Sequence, residues 1–175
     1  MSTEAPSAFE LPAALLLQGY RLRAETDGDI PFLRGLYATT RELELSVTNW
    51  SDDQKRAFCD SQFDAQRRHY RSYIPDCRFD VLVCGDEPIG RLYLEPRVTQ
   101  LHIVDIALIP DWRGKGIGGA IVAALIDKAA QSGRGVGIFV EKFNPALRFY
   151  RRLGFTEMRE EGPYFEMEWL PRQVS

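Results

Sequence analysis

Apolar and polar residues alternate along two neighbouring runs near the middle of the chain, RFDVLVC (78–84) and GRLYLEP (90–96). Period-two alternation is typical of strands with one buried face. Gly, Asp and Pro in the intervening GDEPIG indicate a turn, so the two runs predict an antiparallel hairpin. The next run, LHIVDIALI (101–109), is nearly all apolar and predicts a third strand.

Apolar residues at helical spacing predict two helices before this hairpin. We expect Asp29 to cap the first helix. RELELSVTNW (41–50) then indicates a connecting loop. Ser51 and Gln54 form a capping-box pattern that opens the second helix, which ends before Pro75.

Two further helices are predicted in the second half of the chain. One starts in the glycine-rich stretch PDWRGKGIGGAIVAAL (110–125) and ends at Gly133, which would supply a left-handed cap. The other lies in NPALRFYRRLGF (144–155). The remaining strands are predicted over 20–26, 136–141, about 155–160 and 164–169.

The predicted order is strand, two helices, three strands, helix, strand, helix and two strands. It describes one mixed sheet with helices on it, without a linker or an internal repeat. The chain has 175 residues, of which 45% are hydrophobic, enough for one good core. We therefore expect a single α+β domain over 20–175, with 1–19 as a loosely held N-terminal tail.

Composition and charge argue against several classes of function. The net charge is −3, which disfavours nucleic acid as a partner because such binding needs an excess of Lys and Arg. The cysteines, Cys59, Cys77 and Cys84, lack metal-site spacing and indicate free thiols in a reducing compartment. No run reaches the roughly 20 apolar residues of a membrane helix. The sequence thus predicts a cytoplasmic protein that uses no metal, membrane or nucleic acid.

The glycine-rich stretch is the main candidate for chemistry. Four of the six residues 114–119 are glycines, and Arg113 and Lys115 add positive charge. A helix start has backbone N–H groups without partners, so it binds anions, and glycines let an extended ligand lie against the backbone. Two alternatives stay open: a GxGxxG dinucleotide fingerprint of an oxidoreductase fragment, and glycines that only let the helix pack closely. The fingerprint is disfavoured because PDWR separates it from its strand and antiparallel strands come first.

DIALIPDWRGKGIGGAIV resembles the acetyl-CoA-binding motif of the GNAT superfamily of N-acetyltransferases. That motif is Arg/Gln-x-x-Gly-x-Gly/Ala, matched here by Arg113, Gly116 and Gly118. NPALRFYRRLGF is similar to the second family motif, an Asn followed by a helix that carries a Tyr and is closed by Gly-Phe. The resemblance covers roughly residues 20–170. It implies a three-layer fold with a mixed, mostly antiparallel central sheet, a splayed pair of strands and flanking helices.

The resemblance also implies where acetyl-CoA binds. Backbone amides of the turn at 113–119 would hold its pyrophosphate. Its pantetheine arm would lie along 106–108, where the Leu108 amide would polarise the thioester carbonyl. Asn144 would contact the cofactor, although capping of the next helix is its main expected role. The implied cofactor-binding residues are Ile106, Ala107, Leu108, Arg113, Gly114, Lys115, Gly116, Ile117, Gly118, Gly119 and Asn144.

Two catalytic residues follow from the resemblance. Tyr150 matches the Tyr whose hydroxyl protonates the departing coenzyme A thiolate, with a core-packing Tyr as the alternative. His102 takes the position of a Glu that acts as the base in some family members, and imidazole suits that role because its pKa lies near neutrality. A satisfied His on a half-buried strand is the alternative. Asp105 and Glu141 are further candidates for the base, and a water chain could serve instead.

The acceptor is expected beside the first two helices and their connection, which bind it in the family. Residues there that could contact it are Glu42, Glu44, Gln66, His69 and Tyr70. Carboxylates would attract an ammonium group, so we expect a primary amine of a small molecule or peptide. Direct transfer in a ternary complex is preferred, since no cysteine matches a family nucleophile. A catalytically silent acyl-CoA-binding module is the alternative function, and a homodimer is left open.

Overall fold

Seven strands form one sheet in the computed structural model, which describes residues 9–172. In chain order the strands are β1 (Tyr20–Ala24), β2 (Arg78–Cys84), β3 (Glu87–Pro96), β4 (Gln100–Leu108), β5 (Gly135–Glu141), β6 (Thr156–Glu161) and β7 (Tyr164–Trp169). The helices are α1 (Ala13–Leu17), α2 (Ile30–Ser46), α3 (Asp52–Tyr73), α4 (Ile117–Gln131) and α5 (Ala146–Arg152). Apart from α1, this is the order that the sequence predicts.

The sheet is mixed and mostly antiparallel. Its strand order is β1-β2-β3-β4-β5-β7-β6, and β4 with β5 is its parallel pair. A parallel pair needs a crossover connection, which α4 supplies. β4 and β5 pair only through residues 100–103 and 135–138, and beyond these residues the two strands separate. The predicted fold class, including the splayed pair of strands, is confirmed.

Alternate residues of the central strands face two separate cores, one on each side of the sheet. In β2, Leu82 is buried in the core that α1, α4 and α5 cover. Its neighbours Val81 and Val83 belong to the core that α2 and α3 cover. The molecule is therefore built in three layers, helices on a sheet on helices.

Two of the helix caps that the sequence predicts are present. The Ser51 side chain accepts a hydrogen bond from the Gln54 N–H, and the Gln54 side chain accepts one from the Ser51 N–H, so the predicted capping box is present. Gly133 has a φ of 66° just after α4, as predicted for a left-handed cap. The first cap is different, because Asp29 does not cap α2 with its side chain. Its carboxylate instead accepts a hydrogen bond of 2.8 Å from the Thr26 N–H, in a capping box that begins one turn earlier.

The predicted loop over 41–50 is wrong in its first half, because α2 continues to Ser46. Leu43 and Val47 are both 85% exposed. These apolar side chains face solvent, so they break the apolar periodicity of the sequence without ending the helix. The connection between α2 and α3 is correspondingly short.

The described part of the predicted N-terminal tail is not loose. Phe9, Leu11 and Leu15 are only 7%, 5% and 6% exposed, and they pack into the same core as α4. Residues 9–19 therefore pack with the rest of the fold. Residues 1–8 of the predicted tail lie outside the described residues.

Two glycines allow a matched test of the packing of β3 against β4. A Cβ at Gly90 in β3 would collide with the Ala107 carbonyl oxygen of β4, whereas a Cβ at Gly35 in α2 would meet no atom within 4 Å. We expect Gly90→Ala to destabilise the protein by about 1–3 kcal/mol through overpacking. Gly35→Ala should stabilise it by about 0.5–1 kcal/mol, because Ala is the better helix former. Urea unfolding of both variants measures this, and equal effects would contradict the register of β3 on β4.

Candidate active site

A cleft of about 280 Å³ opens where β4 and β5 separate. One wall is formed by residues 104–107 of β4 and 138–141 of β5, with Tyr150 of α5 beside them. The facing wall comes from α2 and α3. The cleft therefore lies between helices of both layers, at the point where β4 and β5 diverge.

A β-bulge in β4 shapes this cleft. Tyr93 of β3 pairs with Asp105 and Leu94 pairs with Ile103, which leaves Val104 without a partner in β3. An extra residue bends a strand and reverses the facing of its side chains beyond that point. The bulge lies directly after the last residue of β4 that pairs with β5, so it marks the place where the strands part.

The loop before α4 presents backbone rather than side chains. Gly114 and Gly116 have φ values of 73° and 82°, conformations that favour glycine. A Cβ at Gly114, Gly116 or Gly118 would meet no atom within 4 Å, so this surface is open. Gly119 differs, since a Cβ there would lie 3.4 Å from the Phe149 ring, so this position faces α5 rather than open space.

Backbone N–H groups at the start of α4 are available to a ligand. The first hydrogen bond of the helix runs from the Ala120 N–H to the Gly116 carbonyl at 3.0 Å. The N–H groups of residues 117–119 therefore have no partner inside the helix. The Lys115 ammonium lies 4.9 Å from the centre of the Trp112 ring, beside this loop. Such a helix start suits a phosphate group.

Tyr150 is positioned by its own short helix. The Asn144 side-chain oxygen accepts a hydrogen bond of 2.9 Å from the Ala146 N–H, which opens α5 as the sequence predicts for a capping residue. Tyr150 is 5% exposed and lines the cleft. Burial raises the pKa of its hydroxyl, and the negative charge of Asp105 adds to the shift. The hydroxyl is therefore protonated at neutral pH and can act as a proton donor.

A buried ion pair lies across the cleft from α5. The Arg91 guanidinium is 3% exposed and donates hydrogen bonds to Asp105 at 2.6 Å and to Gln66 at 3.0 Å. The Asp105 side chain keeps 17% exposure, toward the cleft that it lines. Tyr70 lines the same wall, and burial raises the pKa of its hydroxyl. Arg91 thus fixes a carboxylate close to the point where β4 and β5 part.

Sequence reasoning missed several residues of the cleft. Arg91 and Arg41 both line it, together with Tyr37, Thr40 and Tyr164. Arg41 joins two elements, with its Nη1 atom 3.0 Å from Glu44 on α2 and 3.8 Å from Glu141 on β5. Arg91 occupies a polar position of an alternating strand, so its burial becomes visible only once Asp105 is placed beside it.

His102 does not line the described cleft, although Asp105 and Glu141 do. The ring is 4% exposed, its Nδ1 atom lies 3.1 Å from the Gln100 side-chain oxygen, and it contacts Phe139 edge-on. Burial lowers its pKa to about 4. His102 is kept out of the cleft by its position along β4, because it lies in the part of the strand that still pairs with β5, opposite Gly137, before the two strands separate.

Three of the expected acceptor residues, Glu42, Glu44 and His69, do not line the cleft either. His69 is exposed on α3, with its ring 4.8 Å from that of Tyr73. Glu42 borders a separate groove with Leu45 and Cys59. Both placements follow from helix geometry, since neighbouring residues on a helix point in different directions. Gln66 and Tyr70 do line the cleft.

Comparison with known families gives the class of the protein. Residues 38–155 match the model of the Acetyltransferase (GNAT) family, which is more than half of the chain. The chain therefore belongs to this family and is an acyltransferase. No curated protein matches the chain.

Solved structures of the same fold include acetyltransferases. The PaiA N-acetyltransferase of Thermoplasma acidophilum, in complex with coenzyme A, is 16% identical with a TM-score of 0.64, over 86% of this chain and 98% of that chain. An acetyltransferase from Thermus thermophilus is 19% identical with a TM-score of 0.60, over 86% and 96%. Arabidopsis thaliana Naa50, in complex with the bisubstrate analogue CoA-Ac-MVNAL, is 15% identical with a TM-score of 0.54, over 86% and 98%.

Acetyl-CoA, the cofactor of this family, fits the residues present. Open glycines and unpartnered N–H groups at the start of α4 suit its pyrophosphate. Residues 104–107 of β4 line the cleft, and the same strand ends at Leu108, shortly before this loop. A separate observation is that no helix within residues 9–172 is long and apolar enough to cross a membrane.

The placement of His102 generates a pH prediction. Its folded-state pKa of about 4 lies below the ordinary 6.5, so the unfolded chain binds more protons between these values. The contribution of the neutral His102 to stability is therefore present in full above pH 6.5 and is lost as the pH drops toward 4. His102→Asn lacks this titrating group. Its free energy of unfolding should therefore fall by about 2–3 kcal/mol less than that of wild type between pH 7 and pH 4.5. Urea unfolding of both proteins at pH 7 and pH 4.5 measures the difference.

Activity separates this placement from the role of a base. His102→Asn should retain acetyl transfer within a few-fold of wild type at pH 7.5. A folded variant that loses a factor of 100 or more, the range of general base catalysis, would restore His102 as the base.

Proposed function

We propose that this protein transfers the acetyl group of acetyl-CoA directly to a primary amine of a small molecule or peptide, within a ternary complex. One observation carries the proposal: the cleft at the divergence of β4 and β5 contains both a protonated Tyr150 and the fixed carboxylate of Asp105. The glycine loop that suits a pyrophosphate lies at the end of the same strand, β4.

The cofactor supplies an activated acetyl thioester, and the residues of this chain bind and orient it. Backbone N–H groups within 113–119 would hold the pyrophosphate. The pantetheine arm would follow the main chain of Ile106, Ala107 and Leu108, in the gap that β5 leaves open. The Leu108 N–H would orient the thioester carbonyl, a contact strengthened by exclusion of water from the gap.

Proton transfer is assigned to the two walls of the cleft. The Tyr150 hydroxyl would give its proton to the sulfur that leaves, and its raised pKa keeps it in the protonated form that a donor needs at neutral pH. Asp105 receives the ammonium group of the acceptor, since it is a carboxylate exposed to the cleft and held by Arg91. Removal of a proton from that ammonium then proceeds through Asp105, Glu141 or water.

Two further observations support an amine acceptor and direct transfer. Naa50, a structure of the same fold, is bound to a bisubstrate analogue that joins coenzyme A to a peptide. Cys59, Cys77 and Cys84 are free, and none of the three lines the cleft, so the proposal needs no acetyl-cysteine. Free thiols also support a cytoplasmic location.

Of the two carboxylates of α2, Glu44 is the better candidate for acceptor binding. Glu44 reaches the cleft through Arg41, to which it is hydrogen bonded at 3.0 Å. Glu42 borders the separate groove and would act only through long-range attraction. A silent acyl-CoA-binding module is the second candidate function, but the buried, protonated Tyr150 in the cleft favours turnover.

An acceptor screen with acetyl-CoA, read by release of free thiol, tests the proposal. Once an acceptor is found, Tyr150→Phe removes only the hydroxyl. We expect it to lower kcat by about 10²–10⁴-fold with cofactor affinity little changed.

Two control variants make the result specific. Tyr73→Phe removes a hydroxyl from a side chain that is 75% exposed, and its kcat should match wild type. Gly118→Asp places a negative charge on the open glycine surface and should abolish the rise in melting temperature with acetyl-CoA. Near-normal turnover by Tyr150→Phe would return Tyr150 to a packing role. Cofactor binding without turnover of any amine would favour the silent module.

A further inference from the structure

The glycine loop directly before α4, residues 113–116, is here called the cofactor loop. The Arg113 side chain leaves this loop and crosses to α2. Its Nε atom donates a hydrogen bond to the Leu108 carbonyl at 2.8 Å, and its Nη2 atom donates one to the Thr39 hydroxyl oxygen at 2.9 Å. The Thr39 hydroxyl in turn donates to the Leu36 carbonyl at 2.7 Å. One guanidinium therefore joins the end of β4, the cofactor loop and α2.

The neighbours of Thr39 on α2 form part of the cleft wall that α2 and α3 supply, here called the acceptor wall. Tyr37, Thr40 and Arg41 line the cleft, whereas Thr39 does not. Arg41 also reaches Glu141 of β5, at 3.8 Å. The position of α2 thus decides the shape of the cleft on the side away from β4.

The cofactor loop is suited to change its order when an anion binds. Residues 113–116 are exposed, and two of the glycines, Gly114 and Gly116, have positive φ values. Glycine backbone has many accessible conformations, and an anion held by several N–H groups restricts them. Restriction of the loop at Arg113 would also restrict the contact that Arg113 makes with Thr39.

We infer that Thr39 is a positioning residue. When a ligand occupies the cofactor loop, the contact between Arg113 and Thr39 restricts α2 and so orders the acceptor wall. This inference rests on the proposed function. The acceptor then binds more tightly to the acetyl-CoA complex than to the free protein. By reciprocity, the acceptor strengthens acetyl-CoA binding by the same factor.

Hydrogen exchange of α2 amides, with acetyl-CoA as the probe, tests the inference without a known acceptor. In the wild type we expect acetyl-CoA to slow exchange in residues 37–46 by about fivefold or more, the usual lower range of coupling between sites. Thr39→Val keeps the shape of the side chain and removes the hydroxyl, so this protection should be lost. Thr39→Ser restores the hydroxyl and should restore the protection.

Further variants separate the contact from a general effect on the helix. Ser46→Ala removes a hydroxyl that bonds the Leu43 carbonyl on the same helix, and it should keep full protection. Thr39→Ala, a better helix former, serves as a second removal of the hydroxyl where Thr39→Val folds poorly. With an acceptor in hand, both removals should raise its KM about fivefold or more and leave the acetyl-CoA Kd within about twofold.

The outcomes distinguish this inference from the proposed function. No rise in wild-type melting temperature with acetyl-CoA means that the proposed function has failed. A rise without protection of α2, or full protection in Thr39→Val and Thr39→Ala, overturns the role of Thr39. Loss of protection in Thr39→Ser also overturns it, because packing rather than the hydroxyl would then be responsible.

Discussion

The separation of β4 from β5 is the constraint on which the rest of the site depends. The two strands pair through residues 100–103 and 135–138, and the bulge at Val104 follows at once. A parallel pair that continued to the end of β4 would close the cleft and satisfy the backbone groups of residues 106–108 within the sheet. Because the strands part, main-chain groups of β4 face an open gap that leads to the glycine loop. Backbone chemistry at this point needs no particular side chain in β4, and apolar residues such as Ile106 serve well.

Buried charge holds α3, whose residues line the cleft, against the sheet. The Glu25 side chain is fully buried, and it accepts hydrogen bonds from Arg67, Arg71 and the Tyr93 hydroxyl. The Tyr93 ring lies 4.9 Å from the Arg91 guanidinium, which binds Asp105. Arg67 and Arg71 stay 23% and 45% exposed, so their pairs with Glu25 tie α3 to β3 by less than the about 3–5 kcal/mol that removal of a partner from a fully buried pair costs. The cleft wall thus contains the buried Arg91–Asp105 pair, while the glycine loop that follows β4 is exposed.

Regular elements could be predicted from the sequence because their patterns are local. Alternation in β2 and β3, and the capping box at Ser51, each depend on neighbours within a few residues. The site was harder where it depends on contacts between distant segments. The bulge at Val104 has no mark in LHIVDIALI, yet it turns Asp105 to the face of β4 that α3 covers, beyond the last residue that pairs with β5. The sequence predicts a loop over 41–50, so the place of Arg41 in the cleft wall becomes visible only once α2 is seen to continue to Ser46.

The most direct test of the account is a crystal structure of the protein with coenzyme A. The account predicts pyrophosphate oxygens within hydrogen-bond distance of backbone N–H groups in residues 114–119. It also predicts the pantetheine arm between β4 and β5, with the sulfur within reach of the Tyr150 hydroxyl. Coenzyme A bound elsewhere, such as in the groove beside Glu42, or with its sulfur remote from Tyr150, would contradict the account.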